Sequence, residues 1–357
     1  MDYWLLFFVF ILCVFGLMMI YSSSAVLSFE QYGFNNYFFK KQLTSFIIGF
    51  VALIITSQID YRFWQKRAFA ILVVSVILLI SVFIFSHEVG GAQRWLHIGS
   101  FTIQPSEIAK IAFIIYLAAW LAGKKEQIKD LKYGFLPFVV ILGLISFLII
   151  KQPDMGTMTV IVAIAVMMFF VSGASLWHLG AGFIALIGMF LLLIKTSPYR
   201  MQRLMVFLNP TAEKLGAGYH INQALLAIGS GGLLGLGFGQ SKQKYLYLPE
   251  PHTDSIFAII TEELGFLRAF LVFVVFAIIV LRGFKIAKNA PDDFSKYLAV
   301  GISSWIVIQF LINIGAMLGI LPLTGIPLPF VSFGGSSLIV LLASVGILLN
   351  ISKHANR

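Results

Sequence analysis

Ten apolar segments, all but one of whose connections are short, constrain the fold of this 357-residue chain more than any other feature. A helix needs about 20 apolar residues to cross the hydrocarbon core of a bilayer. Only 11% of the residues are charged, whereas a soluble domain carries about 25%. The sequence therefore predicts an all-α polytopic membrane protein, one domain over 1–357, with about ten transmembrane helices. The segments lie near 3–27, 43–57, 68–85, 106–122, 135–150, 157–172, 176–195, 256–281, 297–320 and 335–351.

The basic residues predict the orientation. With a cytoplasmic N-terminus, the inner connections and tail hold thirteen Lys and Arg residues and the short outer connections hold four. The inner residues are Arg62, Lys66, Arg67, Lys124, Lys125, Lys129, Lys132, Arg282, Lys285, Lys288, Lys296, Lys353 and Arg357, and the outer ones are Lys40, Lys41, Arg94 and Lys151. Because cytoplasmic connections carry the excess of Lys and Arg, both termini are expected in the cytoplasm. This bias accounts for the net charge of +10 without a nucleic-acid partner.

One long extracytoplasmic loop, residues 196–255, is predicted between the seventh and eighth spans. It opens with SPYRMQRLMVFLNP, in which Arg200 and Arg203 are three apart and can share a helix face. Apolar residues fill the other positions, as in an interfacial amphipathic helix. The following GYHINQALLAIGSGGLLGLGFGQ is apolar and Gly-rich, and we expect it to be re-entrant or to lie on the surface. It lacks the Gly-Lys-Ser/Thr ending of a phosphate-binding P-loop.

Ionisable residues at the outer ends of three spans are candidates for a functional site, because a charge inside a membrane segment costs at least a few kcal/mol. Glu107 and Lys110 lie in the first turns of the fourth span, Asp154 precedes the sixth and Asp254 precedes the eighth. All three spans are predicted to run from outside to inside, so the four groups share one depth. The sequence predicts a wet cavity that opens outward.

Three of these residues also have structural interpretations. Glu107 and Lys110 are three apart on a helix and can neutralise each other. Asp154 can cap the N-terminus of its helix, as Asp often does. The sequence leaves both alternatives open beside the functional ones.

Asp254 is the strongest functional candidate. It can also cap a helix, but Pro249 and Pro251 hold the approach to it stiff and extended. Glu250 and His252 crowd the same short turn, which is more polar groups than a cap requires.

Other polar residues indicate packing. Gln309 and Asn313 in the ninth span are four apart, so they share a face and are predicted to join helices inside the bundle. His178 and His220 are isolated, and no spacing here makes a metal cage.

Four ordered blocks resemble the SEDS family (shape, elongation, division and sporulation), whose members include FtsW and RodA. The blocks are GAQRWLHIGSFTIQPSEIAK, KQPDMGT, GAGYHINQALLAIGSGGLLGLGFGQSKQKYLYLPEPHTDSIFAIITEELG and LPLTGIPLPFVSFGGSS. The resemblance runs from about residue 40 to residue 350. The run SKQKYLYLPEPHTDSIFAII is more similar to the division and sporulation branch, FtsW and SpoVE, than to RodA.

The resemblance implies a peptidoglycan glycosyltransferase that polymerises lipid II at the outer face of the cytoplasmic membrane. It implies a class B penicillin-binding protein as partner, together with other membrane proteins of the division or elongation machinery, at the septum where division is the role. A divalent cation, Mg²⁺ or Mn²⁺, at the substrate pyrophosphate is left open.

The family's essential aspartate falls on Asp254, its acid–lysine pair on Glu107 and Lys110, and its QPD aspartate on Asp154. Its basic residue before the second span is commonly arginine, whereas this chain has Lys41, which cannot grip a phosphate with a bidentate fork. Ser255 also departs from the family, whose members usually carry a bulky apolar residue after the key acid.

The chemistry of such a reaction fits these residue types. A sugar hydroxyl needs a base to take its proton, and Asp254 is the candidate. A leaving pyrophosphate needs positive charge, for which Lys110, Lys41 and Arg94 are candidates. Direct displacement with a single base predicts inversion, from an α-linked donor to a β-linked strand, by analogy with inverting glycosidases. We assign Glu250 and His252 to the same predicted substrate site.

Two rival functions remain open. A lipid II flippase suits ten helices and an outward cavity, but transporters tend to place their sites near the midplane between repeated halves. No internal repeat is visible in this sequence, and the polar cluster is shallow. A non-catalytic scaffold for division proteins is the other alternative.

Overall fold

The computed structural model describes residues 1–86, 93–99, 101–124, 127–209, 216 and 218–355, without the side chains of Ile98, Phe101 and Tyr199. Lys125 and Arg357, used above for orientation, lie outside the described residues. The helices are α1 (Tyr3–Tyr32), α2 (Tyr37–Gln58), α3 (Tyr61–Phe85), α4 (Pro105–Gly123), α5 (Leu136–Lys151), α6 (Met155–Val171), α7 (Leu176–Lys195), α8 (Pro198–Leu208), α9 (Tyr219–Gly231), α10 (Ile256–Lys288), α11 (Asp293–Met317) and α12 (Gly335–His354). A short antiparallel hairpin, β1 (Leu96–Ile98) and β2 (Phe101–Ile103), precedes α4. A 3₁₀ turn (Gln127–Lys129) and a π-helical turn (Leu131–Phe135) precede α5.

Each of the ten predicted spans is a helix, which confirms the all-α polytopic fold. Within the described residues, nine helices are long and apolar enough to cross a membrane. The tenth, α6, is apolar but has only 17 residues. The two remaining helices, α8 and α9, come from the long loop and are shorter.

Both ends of the chain meet at one end of the bundle. The backbone N–H of Asp2 donates to Oγ of Ser352 at 2.9 Å, and Arg282 donates to the Asp2 carboxylate at 2.9 Å. The beginning of α1 and the end of α12 therefore lie at the same end of the helix bundle. That both termini are cytoplasmic stays a prediction from the distribution of basic residues.

Helix α11 forms the centre of the bundle, and α7 lies at its edge. α11 packs against α4, α6 and α10, and its Trp305 is fully buried. In α7, by contrast, Ile194 is the one buried side chain. A helix that is apolar on all sides and exposed on nearly all of them is suited to face lipid.

The Gly-rich segment after α9 packs its backbone directly onto α10. At Gly265 the helix is interrupted, with φ 79° and ψ 170°. The N–H groups of Leu236 and Gly237 donate to the carbonyls of Glu262 and Glu263 at 3.0 and 2.9 Å. A Cβ on Gly265 would overlap the main chain of Gly235. The glycines therefore permit a backbone approach that replaces hydrogen bonds lost at the break in α10.

The amphipathic helix predicted at the start of the loop is α8. Its two arginines contact different neighbours, although they are three residues apart. Nη1 of Arg200 donates to the carbonyl of Leu193 at 3.2 Å, near the end of α7. Nη1 of Arg203 donates to the carbonyl of Leu323 at 2.7 Å, in the connection between α11 and α12.

Candidate active site

Asp254 lies in a turn whose main chain is fixed from two sides. Nδ2 of Asn313 donates to the Asp254 carbonyl at 2.8 Å. Oγ of Ser332 donates to the Thr253 carbonyl at 2.5 Å, and N–H of Phe333 donates to the His252 carbonyl at 2.9 Å. These bonds hold the backbone and leave the Asp254 carboxylate available for other contacts.

The Asp254 side chain does not cap α10. Ser255 occupies the N-cap position, without a side-chain capping bond. Oδ1 of Asp254 accepts from Oγ1 of Thr253 at 3.3 Å. The sequence allowed Asp254 either a capping role or a functional role, and the structure does not show the capping role.

A connecting segment, residues 321–334 between α11 and α12, runs beside Asp254; we call it the strap. A Cβ on Gly325 would lie 3.8 Å from Oδ2 of Asp254. Asn313 donates to the Ile326 carbonyl at 2.8 Å, and Nε2 of Gln309 donates to the Pro327 carbonyl at 2.9 Å. The two amides predicted to join helices thus hold the strap against the aspartate turn.

Lys110, on α4, is enclosed beside Gln309, which lies one turn of α11 before Asn313. Its Nζ lies 2.8 Å from Oε1 of Glu107 and 3.1 Å from Oε1 of Gln309. The ammonium also lies 4.8 Å from the Trp305 ring centroid, and Lys110 is 2% exposed. Since Gln309 and Asn313 are four residues apart, the lysine site lies about 6 Å along the helix from the bond to Asp254.

Asp154 caps the N-terminus of α6, which is the structural role that the sequence allowed for it. Oδ1 of Asp154 accepts from the N–H of Thr157 at 3.0 Å, and Oδ2 accepts from Nε2 of Gln104 at 3.3 Å. Nε of Arg94 donates to the Gln152 carbonyl at 3.0 Å, and its Nη2 donates to the carbonyl of Pro153. Arg94 thereby braces the turn that carries Asp154.

The strap also touches the first turn of α6. A Cβ on Gly156 would lie 2.8 Å from the Thr324 carbonyl oxygen. One segment therefore contacts both the Asp154 helix and the Asp254 turn, which brings two of the predicted residues into one neighbourhood.

Lys41 is exposed on α2, and its ammonium lies 4.7 Å from the Tyr37 ring centroid. The adjacent Gln42, which the sequence did not single out, is buried and bonds to the strap. Its Nε2 donates to the Ser332 carbonyl at 3.2 Å, and its Oε1 accepts from the N–H of Gly334 at 3.1 Å.

His252 and Glu250 have different surroundings within one turn. His252 is buried, with its ring 4.3 Å from the Phe38 centroid and 5.4 Å from that of Phe333. Glu250 is exposed, and its Oε2 accepts from Oγ1 of Thr253 at 2.9 Å. Glu250 thus shares a hydroxyl donor with Asp254, whereas His252 packs between two phenyl rings.

Two buried carboxylates further along α10 hold the segment before the aspartate turn. Oε1 of Glu263 accepts from Nζ of Lys244 at 2.9 Å and from Oγ of Ser22 at 2.7 Å. Glu262 accepts from the N–H of Lys242 at 3.0 Å and from the hydroxyl of Ser241. The sequence signal for this cluster was the position of Glu262 and Glu263 inside an apolar segment. Their hydrogen-bond partners lie far away in sequence and could not be predicted from it.

Burial determines the acid–base properties of the turn. Burial, with a smaller effect from the Glu250 charge, raises the pKa of Asp254 to about 6. The hydrogen bond from Thr253 and the charge of Arg203 oppose that rise. Burial lowers the pKa of His252 to about 4. Near neutral pH the turn therefore holds a neutral imidazole and a carboxylate of raised basicity.

A cavity of about 330 Å³ adjoins the turn. It lies between α8, α9 and the beginning of the strap, with Arg203, His220 and Leu323 in its walls. Nε2 of His220 lies 2.6 Å from Oγ of Ser255, the residue after Asp254.

Among the described residues there is no group of three His, Cys, Asp or Glu side chains able to hold a metal ion. Mg²⁺ often binds through one or two carboxylates together with substrate phosphates. A divalent cation at a pyrophosphate stays a prediction.

Comparison with known proteins places this arrangement in a family. Residues 3–357 match the family model for FtsW, RodA and SpoVE, described as cell cycle protein. The chain belongs to the FtsW/RodA/SpoVE family. This confirms the SEDS resemblance found in the sequence.

Relatives within the family carry the FtsW and SpoVE names that the sequence favoured. The chain is 43% identical over 349 residues to stage V sporulation protein E of Bacillus subtilis, covering 97% of this chain and 95% of that protein. It is 42% identical over 354 residues to a probable peptidoglycan glycosyltransferase FtsW of Trichlorobacter lovleyi, covering 98% and 93%.

Solved structures of family members have the same fold. A structure described as a peptidoglycan synthase complex that coordinates polymerization and crosslinking matches with a TM-score of 0.83 at 25% identity, covering 99% of this chain and 98% of that one. Thermus thermophilus RodA matches with a TM-score of 0.75 at 25% identity, covering 100% and 98%.

Proposed function

We propose that this FtsW/RodA/SpoVE family protein is a peptidoglycan glycosyltransferase that polymerises lipid II, with Asp254 as general base. The names of its relatives support the reaction class. The observation that carries the assignment of the base is the setting of Asp254. Its main chain is fixed by Asn313, and its pKa is raised to about 6. A base works best when its pKa lies near the operating pH.

The reaction forms one bond and breaks one. A hydroxyl of the acceptor sugar attacks the anomeric carbon of the donor while its proton passes to the Asp254 carboxylate. The bond from the anomeric carbon to the phosphate oxygen breaks, and its electron pair leaves with the prenyl diphosphate. Attack from the opposite face inverts the α-linkage of the donor to β, by analogy with inverting glycosidases.

In this proposal Glu107 and Lys110 influence the Asp254 site indirectly, through the strap. Lys110 is 2% exposed and bonds to Gln309, which in turn bonds to the Pro327 carbonyl. The pair is thus suited to fix the wall beside Asp254. Contact of Lys110, Lys41 or Arg94 with the pyrophosphate stays a prediction.

Substrate, location and partner follow from the same proposal. The reaction takes place at the outer face of the cytoplasmic membrane, where lipid II presents its sugars to water and keeps its tail in the bilayer. The synthase complex with a similar fold supports a class B penicillin-binding protein as partner. The family description as cell cycle protein and the name of the sporulation relative support a role in division or sporulation, and a location at the septum stays a prediction.

The test is the Asp254→Asn variant, purified and reconstituted in liposomes beside the parent protein. We expect the variant to keep its melting temperature and to lose glycan polymerisation from lipid II. Strand synthesis at the parental rate by Asp254→Asn would overturn the assignment of the base.

The same liposomes separate the rival functions. Fluorescent lipid II is supplied on one leaflet, and translocation and polymerisation are measured together. Translocation without polymerisation by the parent would support a flippase, and the absence of both would support a scaffold.

A further inference from the structure

The cavity between α8, α9 and the strap lies beside the turn that carries Asp254. Leu323, in its wall, lies two residues before Gly325, which is adjacent to the Asp254 carboxylate. On the other side, His220 bonds to Ser255, the neighbour of Asp254. A molecule in this cavity would therefore lie next to the turn that carries Asp254.

The hydrogen bonds at Ser255 determine what His220 presents there. The Ser255 hydroxyl donates its single proton to the Pro249 carbonyl at 2.9 Å. Its contact with Nε2 of His220 must then use an N–H of the imidazole. Burial, together with the charge of Arg203, lowers the pKa of His220, which agrees with a neutral ring. The positive charge in the wall is thus that of Arg203 and not of the histidine.

Arg203 has the chemistry of a phosphate ligand. A guanidinium presents five N–H donors in a planar fork and binds phosphate in a bidentate manner. Nη1 of Arg203 donates to the Leu323 carbonyl at 2.7 Å, which fixes the fork against the strap. The ammonium of Lys110, by comparison, is enclosed by Glu107 and Gln309 and is 2% exposed. Of these two cations, Arg203 is the one that lines an open cavity.

The rest of the cavity is suited to the lipid side of such a substrate. Val206 and Phe207 follow Arg203 on α8 and give the cavity an apolar wall. A diphosphate joined to an isoprenoid needs a cationic group and an apolar surface side by side. The α8 helix supplies both within five consecutive positions, 203–207.

We infer that this cavity binds the diphosphate of the lipid-linked sugar and that Arg203 is its anion-binding side chain. The inference rests on the proposed function and names the part of the substrate that α8 holds. As the bond between sugar and phosphate breaks, negative charge grows on the leaving diphosphate, and a fixed guanidinium stabilises it.

Arg200 is a matched control on the same helix. It is the same residue type, one turn earlier, and half-buried like Arg203. Its guanidinium donates to the Leu193 carbonyl at the end of α7, away from the strap. Loss of Arg200 removes the same charge from α8 but no wall of the cavity.

The experiment measures binding of undecaprenyl diphosphate and undecaprenyl monophosphate to the detergent-solubilised full chain by native mass spectrometry. All variants carry Asp254→Asn, so binding is measured without turnover. We expect R203Q to weaken diphosphate binding about ten- to a hundredfold, as for loss of a charged hydrogen bond. Monophosphate binding should fall less, and R200Q should change either one less than about twofold.

A second variant, R203K, is used in case R203Q destabilises the protein. If R203Q melts below the parent, the comparison is made with R203K, which keeps the charge and a donor for Leu323 but lacks the fork. R203K should then lose part of the diphosphate affinity and little of the monophosphate affinity. Equal loss in R203Q and R200Q, or no loss in R203Q and R203K, would overturn the inference.

Phosphatidylglycerol, added as a competitor, distinguishes a general anionic-lipid site from a diphosphate site. Displacement of the diphosphate at equimolar phosphatidylglycerol would also overturn the inference. The proposed function is tested by a separate measurement, the polymerisation of lipid II. If Asp254→Asn polymerises lipid II while its diphosphate binding still depends on Arg203, Asp254 is not the base. The assignment of the diphosphate site to Arg203 would then still hold.

Discussion

Nζ of Lys110 on α4 and Oε1 of Gln309 on α11 are 3.1 Å apart, and this bond joins a buried ion pair to the wall of the candidate active site. The same Gln309 donates to the Pro327 carbonyl of the strap at 2.9 Å. A change at Lys110 is therefore transmitted to the segment beside Asp254 without any contact between the two ionisable groups.

This relationship predicts the outcome of a double-mutant cycle. E107Q and K110M should each lower the free energy of unfolding by about 3–5 kcal/mol, because each leaves one buried charge without its partner. The double variant should be more stable than the sum of the single effects implies. Unfolding in mixed micelles measures stability, and lipid II polymerisation measures activity. Strictly additive losses would contradict the coupling, and full activity in E107Q would make the pair purely structural.

The raised pKa of Asp254 predicts an acidic limit to the reaction. A general base works only in its ionised form, so the rate should fall as pH drops through about 6. At pH 5 the parent should retain about a tenth of its plateau rate, since each pH unit below the pKa costs tenfold. Initial rates of strand synthesis between pH 5 and pH 8 give the midpoint. A rate that is constant down to pH 5 would contradict this base.

Asp254 and His252 predict opposite effects of acid on stability. The pKa of Asp254 is raised on folding, so its stabilising contribution is present below about pH 4 and is lost as pH rises through about 6. The pKa of His252 is lowered to about 4, so its contribution is present above about pH 6.5 and is lost as pH falls through 4. The two effects partly cancel in the parent protein.

Single variants should separate these two effects. D254N should lose stability between pH 6.5 and pH 4, by up to about 3 kcal/mol, while H252F should gain stability over the same range. Melting temperatures across that range are the measurement. Parallel curves for D254N and H252F would show that neither group titrates as its burial implies.

The backbone crossing at Gly265 predicts a large steric effect. Alanine there needs a left-handed φ of 79° and would overlap Gly235, so G265A should cost more than about 3 kcal/mol of stability. G229A is the control, because a Cβ on Gly229 in α9 meets nothing within 4 Å. Since Ala favours helix by about 1 kcal/mol, G229A should be neutral or stabilising. Equal melting temperatures for the two variants would contradict the crossing.

The sequence alone determined the features that depend on local geometry. Helices formed at all ten apolar segments, because segment length and apolar content suffice for a membrane helix. The Glu107–Lys110 ion pair forms, because residues three apart on a helix are neighbours. Asp154 caps its own helix for a similar reason. The family blocks added the reaction class, which no periodicity contained.

Tertiary structure alone decided which of these groups share a site. It placed Gln309 and Asn313 between Lys110 and the Asp254 turn, and it sent Arg200 and Arg203 to different neighbours although they are three residues apart. The physical reason is the solvent. In a bilayer both the lipid-facing and the inward-facing sides of a helix are apolar, so the sequence pattern does not reveal which side is buried. Contacts between residues far apart in sequence then depend on how the helices pack, and that packing set the surroundings of Asp254.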